Sequence, residues 1–388
     1  MNVNARGPVS VGDLSLRRPI FLLGIGVAQK AVESGRQENN HGGEHDMKAI
    51  RFHQHGGPEV LKYEDAPEPK ILANEVLIRV KACALNHLDV WLRLGVPGWK
   101  LQMPHIVGSD ISGEVAEVGA LVTRVKPRDR VLLSPGISCG QCEACFQGLD
   151  SACRQYTLFG VFVEGGYAEY VKSPEMNVMP IPRDLSFDEA AAVPLVFITA
   201  WHMLFTRAGL RPGEEVLVIG AGSGVGSAAI QIAKLVNARV IATAGADWKL
   251  ERARALGADE VINHTRQSIA EEVRRLTHKR GVDVVVDHVG AAVWEACFDS
   301  LATYGRLVTC GMTTGADLKL NGQALYGRQR TILGSFMGGK AELVDALKFV
   351  AQGKLKPVID SAFPLADAAA AQQKMESREF FGKILLHP

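Results

Sequence analysis

A regular alternation of apolar strands and amphipathic helices after Pro212-Gly213 restricts the fold of this chain more than any other feature. The strands predicted there are residues 215–219, 239–243, 260–262, 282–287, 305–310 and 331–335. The helices predicted between them are residues 226–236, 249–256, 268–277 and 293–301. Apolar strands that alternate with helices form parallel sheets covered by helices on both faces. This part of the chain is therefore predicted to be α/β, with a doubly wound parallel sheet.

A glycine-rich turn, Gly220 to Gly226, joins the first of these strands to its helix. Glycines let a backbone turn tightly against a pyrophosphate, and the N-terminus of the following helix offers it free N–H groups. The spacing departs from G-x-G-x-x-G, because Ala221 and Ser223 replace the first two glycines. Strand, turn and helix together predict a dinucleotide site, and a tight turn without a ligand is the alternative. The predicted contacts are Gly222, Ser223, Gly224, Val225 and Gly226.

The end of the second strand predicts which dinucleotide binds. An NAD site normally has Asp or Glu at that strand end, holding the ribose 2′-hydroxyl. Here the strand ends in residues 243–246 (TAGA), and Asp247 comes only afterwards. Lys249 and His264 are both placed to meet a 2′-phosphate, although Lys249 also fits a solvated helix face. The pattern favours NADPH over NADH.

Four cysteines have the spacing of a metal site, Cys139-x2-Cys142-x2-Cys145-x7-Cys153. Closely spaced thiolates in turns bind one tetrahedral zinc, and four ligands leave no position for a substrate. The sequence therefore predicts one structural Zn²⁺. An iron–sulfur cluster is the rival, but Arg154 rather than proline follows the last cysteine. The three other cysteines lie in apolar segments and are predicted core residues: Cys83, Cys297 and Cys310.

Chain length and the local sequence pattern predict how the chain is divided into domains. A chain of 388 residues exceeds one ordinary core and predicts two domains. Residues 47–180 show short alternating strands and turns, so this part is predicted to be β-rich. The predicted organisation is an N-terminal extension (1–46), a β-rich catalytic domain (47–180) with the metal lobe at 139–153, the dinucleotide domain (181–339), and a return to the catalytic domain (340–388).

The first 46 residues admit two interpretations. Arg17-Arg18 precede a short apolar run, which is compatible with an export signal. The shortness of the run and Pro19 favour a disordered tail or an upstream start codon, with the folded protein beginning at Met47.

Charge and cysteine content exclude several partners. The formal net charge is +1, which gives no broad basic surface for nucleic acid or acidic lipid. No apolar run approaches the length of a membrane span. Seven cysteines argue against a disulfide framework and favour a reducing compartment, so a cytoplasmic protein is expected.

From Met47 onward the chain resembles the medium-chain dehydrogenase/reductase superfamily. The similarity lies in the order of the cysteine lobe and the glycine turn, and in short stretches along the chain. These stretches include residues 57–61 (GPEVL), 84–89 (ALNHLD), 108–113 (GSDISG), 165–170 (GGYAEY) and 382–386 (GKILL). The resemblance implies a GroES-like catalytic domain, a Rossmann domain and an active site between them.

Residues at the catalytic-zinc positions of that superfamily differ from its alcohol dehydrogenases. Asn86 stands at the first ligand position, Ser109-Asp110 replace the His-Glu pair, and the third position falls near Leu195. Leu88 and Trp91 replace the proton relay. The resemblance therefore implies the zinc-free quinone and enone reductases, although this chain keeps the four-cysteine lobe that typical members of that branch lack.

The same resemblance implies roles for further residues. Asn86 is expected to donate to the substrate oxygen, with a capping or turn role as its alternative. Thr199 is expected beside the nicotinamide, with an intrahelical hydroxyl bond as its alternative. Asp89 and Asp110 could orient donors or bind arginines, and a structural role is favoured for both. His87 is expected near the pyrophosphate, or else to be a buried structural histidine. The expected nicotinamide pocket also contains Cys310, Gly311, Ser335 and Phe336.

The predicted function is hydride transfer from NADPH to a quinone or an α,β-unsaturated carbonyl, both small molecules. One alternative is a zinc alcohol dehydrogenase with Cys83, His87 and Asp110 as unusual ligands. Another is an NADPH-binding protein without catalysis. The strand at 331–335 is expected at a sheet edge that pairs two subunits, which predicts a homodimer or homotetramer.

Overall fold

A computed structural model describes residues 46–388 of the chain. Except for Asp46, the predictions for residues 1–46 lie outside the described residues. The strands are β1 (Asp46–Arg51), β2 (Lys62–Pro67), β3 (Glu75–Ala84), β4 (Asp110–Val118), β5 (Arg130–Leu133), β6 (Gly136–Ile137), β7 (Thr157–Leu158), β8 (Tyr170–Pro174), β9 (Val178–Pro180), β10 (Glu215–Val218), β11 (Arg239–Ala244), β12 (Glu260–Asn263), β13 (Val282–Asp287), β14 (Leu301–Thr309), β15 (Thr331–Gly334), β16 (Ile359–Pro364) and β17 (Lys383–His387).

The helices complete the element list. They are α1 (His87–Leu94), α2 (Glu143–Phe146), α3 (Phe187–Ala191), α4 (Pro194–Trp201), α5 (Gly224–Leu235), α6 (Asp247–Ala255), α7 (Ile269–Leu276), α8 (Trp294–Asp299), α9 (Gly322–Gly327), α10 (Lys340–Ala351) and α11 (Ala368–Ser377). A π-helix, His202–Arg207, continues α4 without a break and was not predicted. No helix within residues 46–388 is long and apolar enough to cross a membrane.

The parallel sheet has six strands in the order β12-β11-β10-β13-β14-β15. The chain therefore winds outward from β10 in one direction and returns to β13 to wind in the other. The carboxyl ends of β10 and β13 flank the point where the direction reverses, which is where ligands bind in such sheets. This arrangement confirms the predicted α/β doubly wound class.

The glycine turn follows β10 at that reversal point. Gly220 has φ +65°, which favours glycine, and a Cβ on Gly226 would lie 2.3 Å from the Gly220 carbonyl oxygen. Ser223 caps α5, because its Oγ accepts a hydrogen bond from the Gly226 N–H at 2.9 Å. The turn and the start of the helix are thus fixed before any ligand binds.

Strand β14 begins earlier than predicted, at Leu301 rather than residue 305, and helix α8 ends at Asp299. Leu301 is buried and pairs with Val282, and the pairing of β13 with β14 then shifts register. Burial against the sheet therefore extends the strand into residues that the sequence pattern assigns to the preceding helix.

The second sheet is mostly antiparallel and has seven strands. Its order is β16-β17-β3-β4-β5-β9, and β8 also pairs with β3. Strands β16 and β17 come from the end of the chain, so residues after the parallel sheet return to this one. Gly382, just before β17, donates its N–H to the carbonyl oxygen of Gly222 at 2.9 Å. The glycine turn of one sheet is therefore hydrogen-bonded to the chain entering the other.

Candidate active site

A buried ion pair joins the start of β4 to the start of β17. The Lys383 ammonium lies 2.8 Å from Asp110 Oδ2 and donates to Asn86 Oδ1 at 2.6 Å. The Asn86 amide nitrogen donates to the same Asp110 oxygen at 3.0 Å. The side chains of Lys383 and Asp110 are 4% and 0% exposed. We call Asn86, Asp110 and Lys383 the buried triad.

The buried triad touches the glycine turn. A Cβ on Gly224 would lie 2.9 Å from Lys383 Cδ, so the aliphatic part of the lysine packs directly against the turn. The remaining Asp110 oxygen, Oδ1, accepts the Leu195 backbone N–H at 2.7 Å. Lys383 therefore joins Asn86 and Asp110 to the glycine turn. Sequence reasoning missed it, because the lysine stands in a short C-terminal match with no chemical signature of its own.

Asp89 is fully buried beneath the triad. Its Oδ2 accepts the Asn86 backbone N–H at 2.8 Å and the Tyr167 hydroxyl at 3.1 Å, while Oδ1 has no hydrogen-bond partner. Burial raises the pKa of this carboxyl to about 7. Asp89 thus faces the protein interior and fixes the start of α1, which is a structural role.

The three positions that bind catalytic zinc in resembling dehydrogenases carry no metal ligands here. Asn86 is held by Lys383 and Asp110, and Ser109 is buried with its hydroxyl donating to the Phe159 carbonyl at 2.7 Å. Leu195 offers only its backbone N–H. Within residues 46–388, the four cysteines of the lobe are the one group of at least three His, Cys, Asp or Glu residues placed to hold a metal. The alternative set of Cys83, His87 and Asp110 is therefore not assembled.

One histidine, His288, lies at the glycine turn. Its Nε2 is 2.9 Å from the Ser223 hydroxyl, and its Nδ1 is buried without a partner. Burial and the charge of His87 lower the pKa of His288 to about 4, and burial also lowers the pKa of His87. His288 follows β13 directly, and a polar residue at the carboxyl end of a parallel strand was the signal that could have identified it.

Lys249 lies beside the glycine turn and His264 lies beside Gly245; these are the two residues predicted to meet a 2′-phosphate. The Lys249 ammonium donates to the Arg378 carbonyl oxygen at 2.5 Å and lies over the rings of Trp248 and Phe380. A Cβ on Gly222 would lie 3.0 Å from Lys249 Cδ, and a Cβ on Gly245 would lie 3.1 Å from His264 Nε2. Burial, then the charge of Lys249, lowers the pKa of His264. Asp247 is turned away, because its carboxylate accepts from Asn263 Nδ2 at 2.7 Å and pairs with Arg266 at 2.6 Å.

The remaining predicted residues lie on α4 and on the segment that follows β15. Thr199 on α4 is buried, with Met337 Sδ 4.0 Å from its hydroxyl. Phe336 packs edge-on against Tyr156 at 5.8 Å between ring centroids. The Ser335 hydroxyl is buried without a partner.

Cys310 and Gly311 lie beside this group at the end of β14. Burial raises the pKa of Cys310 to about 12, so this thiol stays protonated. A Cβ on Gly311 would lie 2.9 Å from the His288 carbonyl oxygen, which leaves room only for glycine.

The four-cysteine lobe has the geometry of a tetrahedral metal site. The sulfur atoms of Cys139, Cys142, Cys145 and Cys153 all lie within 4.8 Å of one another. Zinc–sulfur bonds of about 2.3 Å place tetrahedral ligand sulfurs roughly 3.8 Å apart, so the residues fit the ion. Backbone N–H groups of Cys139 and Gln155 donate to the Cys153 sulfur at 3.4 Å. None of the seven cysteines forms a disulfide.

Two family models match the chain: the alcohol dehydrogenase GroES-like domain over residues 72–183 and the zinc-binding dehydrogenase over residues 224–352. An NAD-dependent alcohol dehydrogenase of Sulfolobus acidocaldarius is 33% identical, over 88% of this chain and 99% of its own length. The chain belongs to the medium-chain dehydrogenase/reductase superfamily. The predicted superfamily is therefore confirmed, and with it the GroES-like and Rossmann-type parts.

Proteins with other printed names in the superfamily are also similar to this chain in sequence. A quinone oxidoreductase of Rattus norvegicus is 31% identical, over 88% of this chain and 97% of its own length. A crystal structure of an NAD-dependent alcohol dehydrogenase is 49% identical, with a TM-score of 0.86 over 88% of this chain and 100% of the other. The shared property is oxidoreductase activity, and the family supports a nicotinamide dinucleotide and zinc.

We expect the purified protein to contain one zinc per chain, measured by elemental analysis. Replacing Cys142 or Cys153 by serine removes one of four thiolates and should lower the zinc content well below one. Cys310→Ala, outside the lobe, is the matched control and should keep one. Two zinc ions per chain would contradict the absence of a second ligand set.

The raised pKa of Asp89 predicts a pH-dependent stability. The folded protein holds a proton on this carboxyl up to about pH 7, whereas the unfolded chain releases it near its ordinary pKa of about 4. The free energy of unfolding should therefore fall as pH rises from about 4 to 7, by on the order of 4 kcal/mol. Asp89→Asn should flatten this slope in urea titrations, and Asp65→Asn, on an exposed carboxylate, should not. An unchanged slope in Asp89→Asn would refute the assignment.

Proposed function

We propose that this protein is an NADPH-dependent reductase that transfers hydride to a quinone or an α,β-unsaturated carbonyl without a catalytic metal. The buried triad is the observation that carries the proposal. Where resembling alcohol dehydrogenases have metal ligands, this chain has an asparagine locked between an ammonium and a carboxylate, a buried serine and a leucine. Oxidation of an alcohol needs a Lewis acid or a free base to remove the hydroxyl proton. The triad has no metal-ligand set, and its one carboxylate, Asp110, is engaged by Lys383, Asn86 and the Leu195 N–H.

Reduction of a conjugated acceptor places different demands on the site. Bound NADPH supplies the hydride. Negative charge then develops on the substrate oxygen, where a pre-oriented hydrogen-bond donor stabilises it. Lys383 attracts the Asn86 amide oxygen and Asp110 attracts the amide nitrogen, so the orientation of the amide is fixed by charge on both sides. The second amide hydrogen has only a long contact, 3.4 Å from the Ala84 carbonyl, and is the donor that we assign to the substrate.

Other residues complete the proposed site. The superfamily resemblance implies that Thr199 lies beside the nicotinamide, and the Thr199 hydroxyl has a weak contact with Met337. His288, which is uncharged near neutral pH, contacts Ser223 of the glycine turn, and we assign His87 to the cofactor pyrophosphate, as the resemblance implies. No acid is positioned to protonate the product carbon, so we assign that proton to water.

The choice of NADPH rests on the pocket beside Gly245. The Lys249 side chain lies beside Gly222 and the His264 ring beside Gly245, while the Asp247 carboxylate is bonded to Asn263 and Arg266. A lysine ammonium and an imidazole N–H beside an engaged carboxylate suit a 2′-phosphate better than a 2′-hydroxyl.

A second candidate is an NAD-dependent alcohol dehydrogenase. Its support is the name carried by the Sulfolobus relative and by the 49% identical structure. It would require hydride removal from an alcohol without the zinc ligands of that class. The first candidate is supported by the name of the rat quinone oxidoreductase, whose 31% identity to this chain is close to the 33% of the Sulfolobus relative.

We also propose that two chains pair along β15. This strand is last in the parallel sheet and bonds only to β14 within the described part of the chain. Exposed Tyr304 and Tyr326 flank it. Pairing of two such edges would give a homodimer, and pairing of dimers a homotetramer. The absence of disulfides among the seven cysteines suits the reducing cytoplasm, which we propose as the location.

Turnover should be measured with quinones, enones and simple alcohols, using NADPH and NADH. We expect reduction of conjugated acceptors and no oxidation of alcohols. Asn86→Ala should lower kcat about 100-fold or more, the usual effect of losing an oxyanion donor. Asn321→Ala is the matched control, since Asn321 caps α9 away from the cleft. Alcohol oxidation, or equal kcat in Asn86→Ala and Asn321→Ala, would overturn the proposal.

Cofactor selectivity gives a separate prediction. Lys249→Ala and His264→Ala should each raise the KM for NADPH about tenfold, because charge-assisted bonds to the 2′-phosphate are lost. The KM for NADH should change little. Lys354→Ala is the control, because Lys354 also lies over an aromatic ring, Phe349, but far in sequence from the turn. A lower KM for NADH than NADPH in the wild type would reverse the assignment.

A further inference from the structure

The four-cysteine lobe is attached to a segment of the cleft by a buried ion pair. Asp150 lies between the third and fourth cysteines, and Ser138 directly precedes the first. Asp150 accepts hydrogen bonds from the Ser138 hydroxyl at 2.6 Å and from the Lys340 backbone N–H at 2.8 Å. The Lys340 ammonium lies 3.1 Å from Asp150 Oδ1 and donates to Ser138 Oγ at 2.8 Å. The side chains of Lys340 and Asp150 are 15% and 14% exposed.

Two more contacts seat residues 335–340, which we call the cleft segment, on the lobe. A Cβ on Gly339 would lie 2.7 Å from the Gly148 carbonyl oxygen, so the two backbones touch. Phe336 packs against Tyr156, which follows the last cysteine by three positions. The lobe therefore holds this segment at both of its ends.

The opposite side of the cleft segment faces the proposed nicotinamide site. Met337 contacts Thr199. Glu342, on the first turn of α10, accepts the Gly339 N–H at 2.7 Å and pairs with His202 of the π-helix at 3.0 Å. The segment is thus fixed between the metal lobe and the helix that carries Thr199.

We propose that Asp150 and Lys340 are positioning residues that couple the four-cysteine lobe to the cofactor cleft. The inference rests on the proposed function, because it takes the cleft segment as one wall of the nicotinamide site. An ordered lobe holds the segment in place, and a lobe without its metal releases Asp150 and with it the segment. The metal then acts on cofactor binding without contacting the cofactor.

Thermodynamic linkage makes this coupling reciprocal. If zinc in the lobe strengthens nicotinamide binding by some factor, nicotinamide must strengthen zinc binding by the same factor. Simple structural support of the lobe has no such consequence. Two binding equilibria, neither requiring turnover, therefore test the proposal.

The experiment measures the Kd for NADPH and NADH, by their fluorescence, in zinc-loaded and zinc-stripped protein. The affinity for zinc is measured by chelator competition with and without the tighter nicotinamide. We expect both ratios to agree, at about fivefold or more, in the wild type. In the Asp150→Asn/Lys340→Met variant, both should fall close to one. Asp150→Glu keeps the carboxylate and should restore part of the coupling.

The matched control is Asp345→Asn/Lys348→Met, which removes an exposed ion pair from the same helix, α10. It should leave both ratios at the wild-type value. Circular dichroism and zinc content confirm that each variant is folded and loaded. Ratios near one in the wild type, or unchanged ratios in Asp150→Asn/Lys340→Met, would overturn the coupling alone. Failure of the wild type to bind either nicotinamide would overturn the proposed function as well.

Discussion

The contact between the Lys383 ammonium and the Asp110 carboxylate is the interaction on which the rest of the site depends. It closes the β3–β4–β17 region, fixes the Asn86 amide from both sides, and places the lysine stem against Gly224. Removing either charge would leave the other buried and unpaired, which is far costlier than the pair itself is stabilising. The pair contributes orientation more than net stability, since desolvation offsets most of the attraction between its charges.

This arrangement explains how the superfamily scaffold accommodates a site without catalytic-metal ligands. A metal organises its surroundings by directional bonds to several side chains. Here one ammonium donates to two partners, and Asp110 extends the order to the backbone of Leu195 at the start of α4. The same helix carries Thr199, so the triad and the nicotinamide side of the cleft share one rigid element.

Local patterns made much of this structure predictable. The alternation of strands and helices, the glycine turn and the cysteine spacing are each contained in a short window. The doubly wound sheet predicted from the alternation is confirmed, and the four predicted sulfur ligands lie within 4.8 Å of one another. Lys383 and Asp150 could not be found in this way, because their partners lie 297 and 190 positions away. The early start of β14 was missed for a related reason: pairing with β13, not the intrinsic preference of residues 301–304, decides it. The π-helix has no periodicity signal distinct from that of the α-helix it continues.

The long separation of the triad has a consequence for biosynthesis. Asn86 and Lys383 stand 297 positions apart. At translation speeds of about 5–20 residues per second, roughly 15–60 seconds pass between their appearance on the ribosome. During that interval Asp110 has no ammonium partner, and β3 lacks its neighbour β17. The parallel sheet, whose strands all lie between the two, is made within the same interval. The nascent chain therefore holds an open, partly charged β-sheet until late in synthesis, which is the state in which a molecular chaperone would find it most in need of protection.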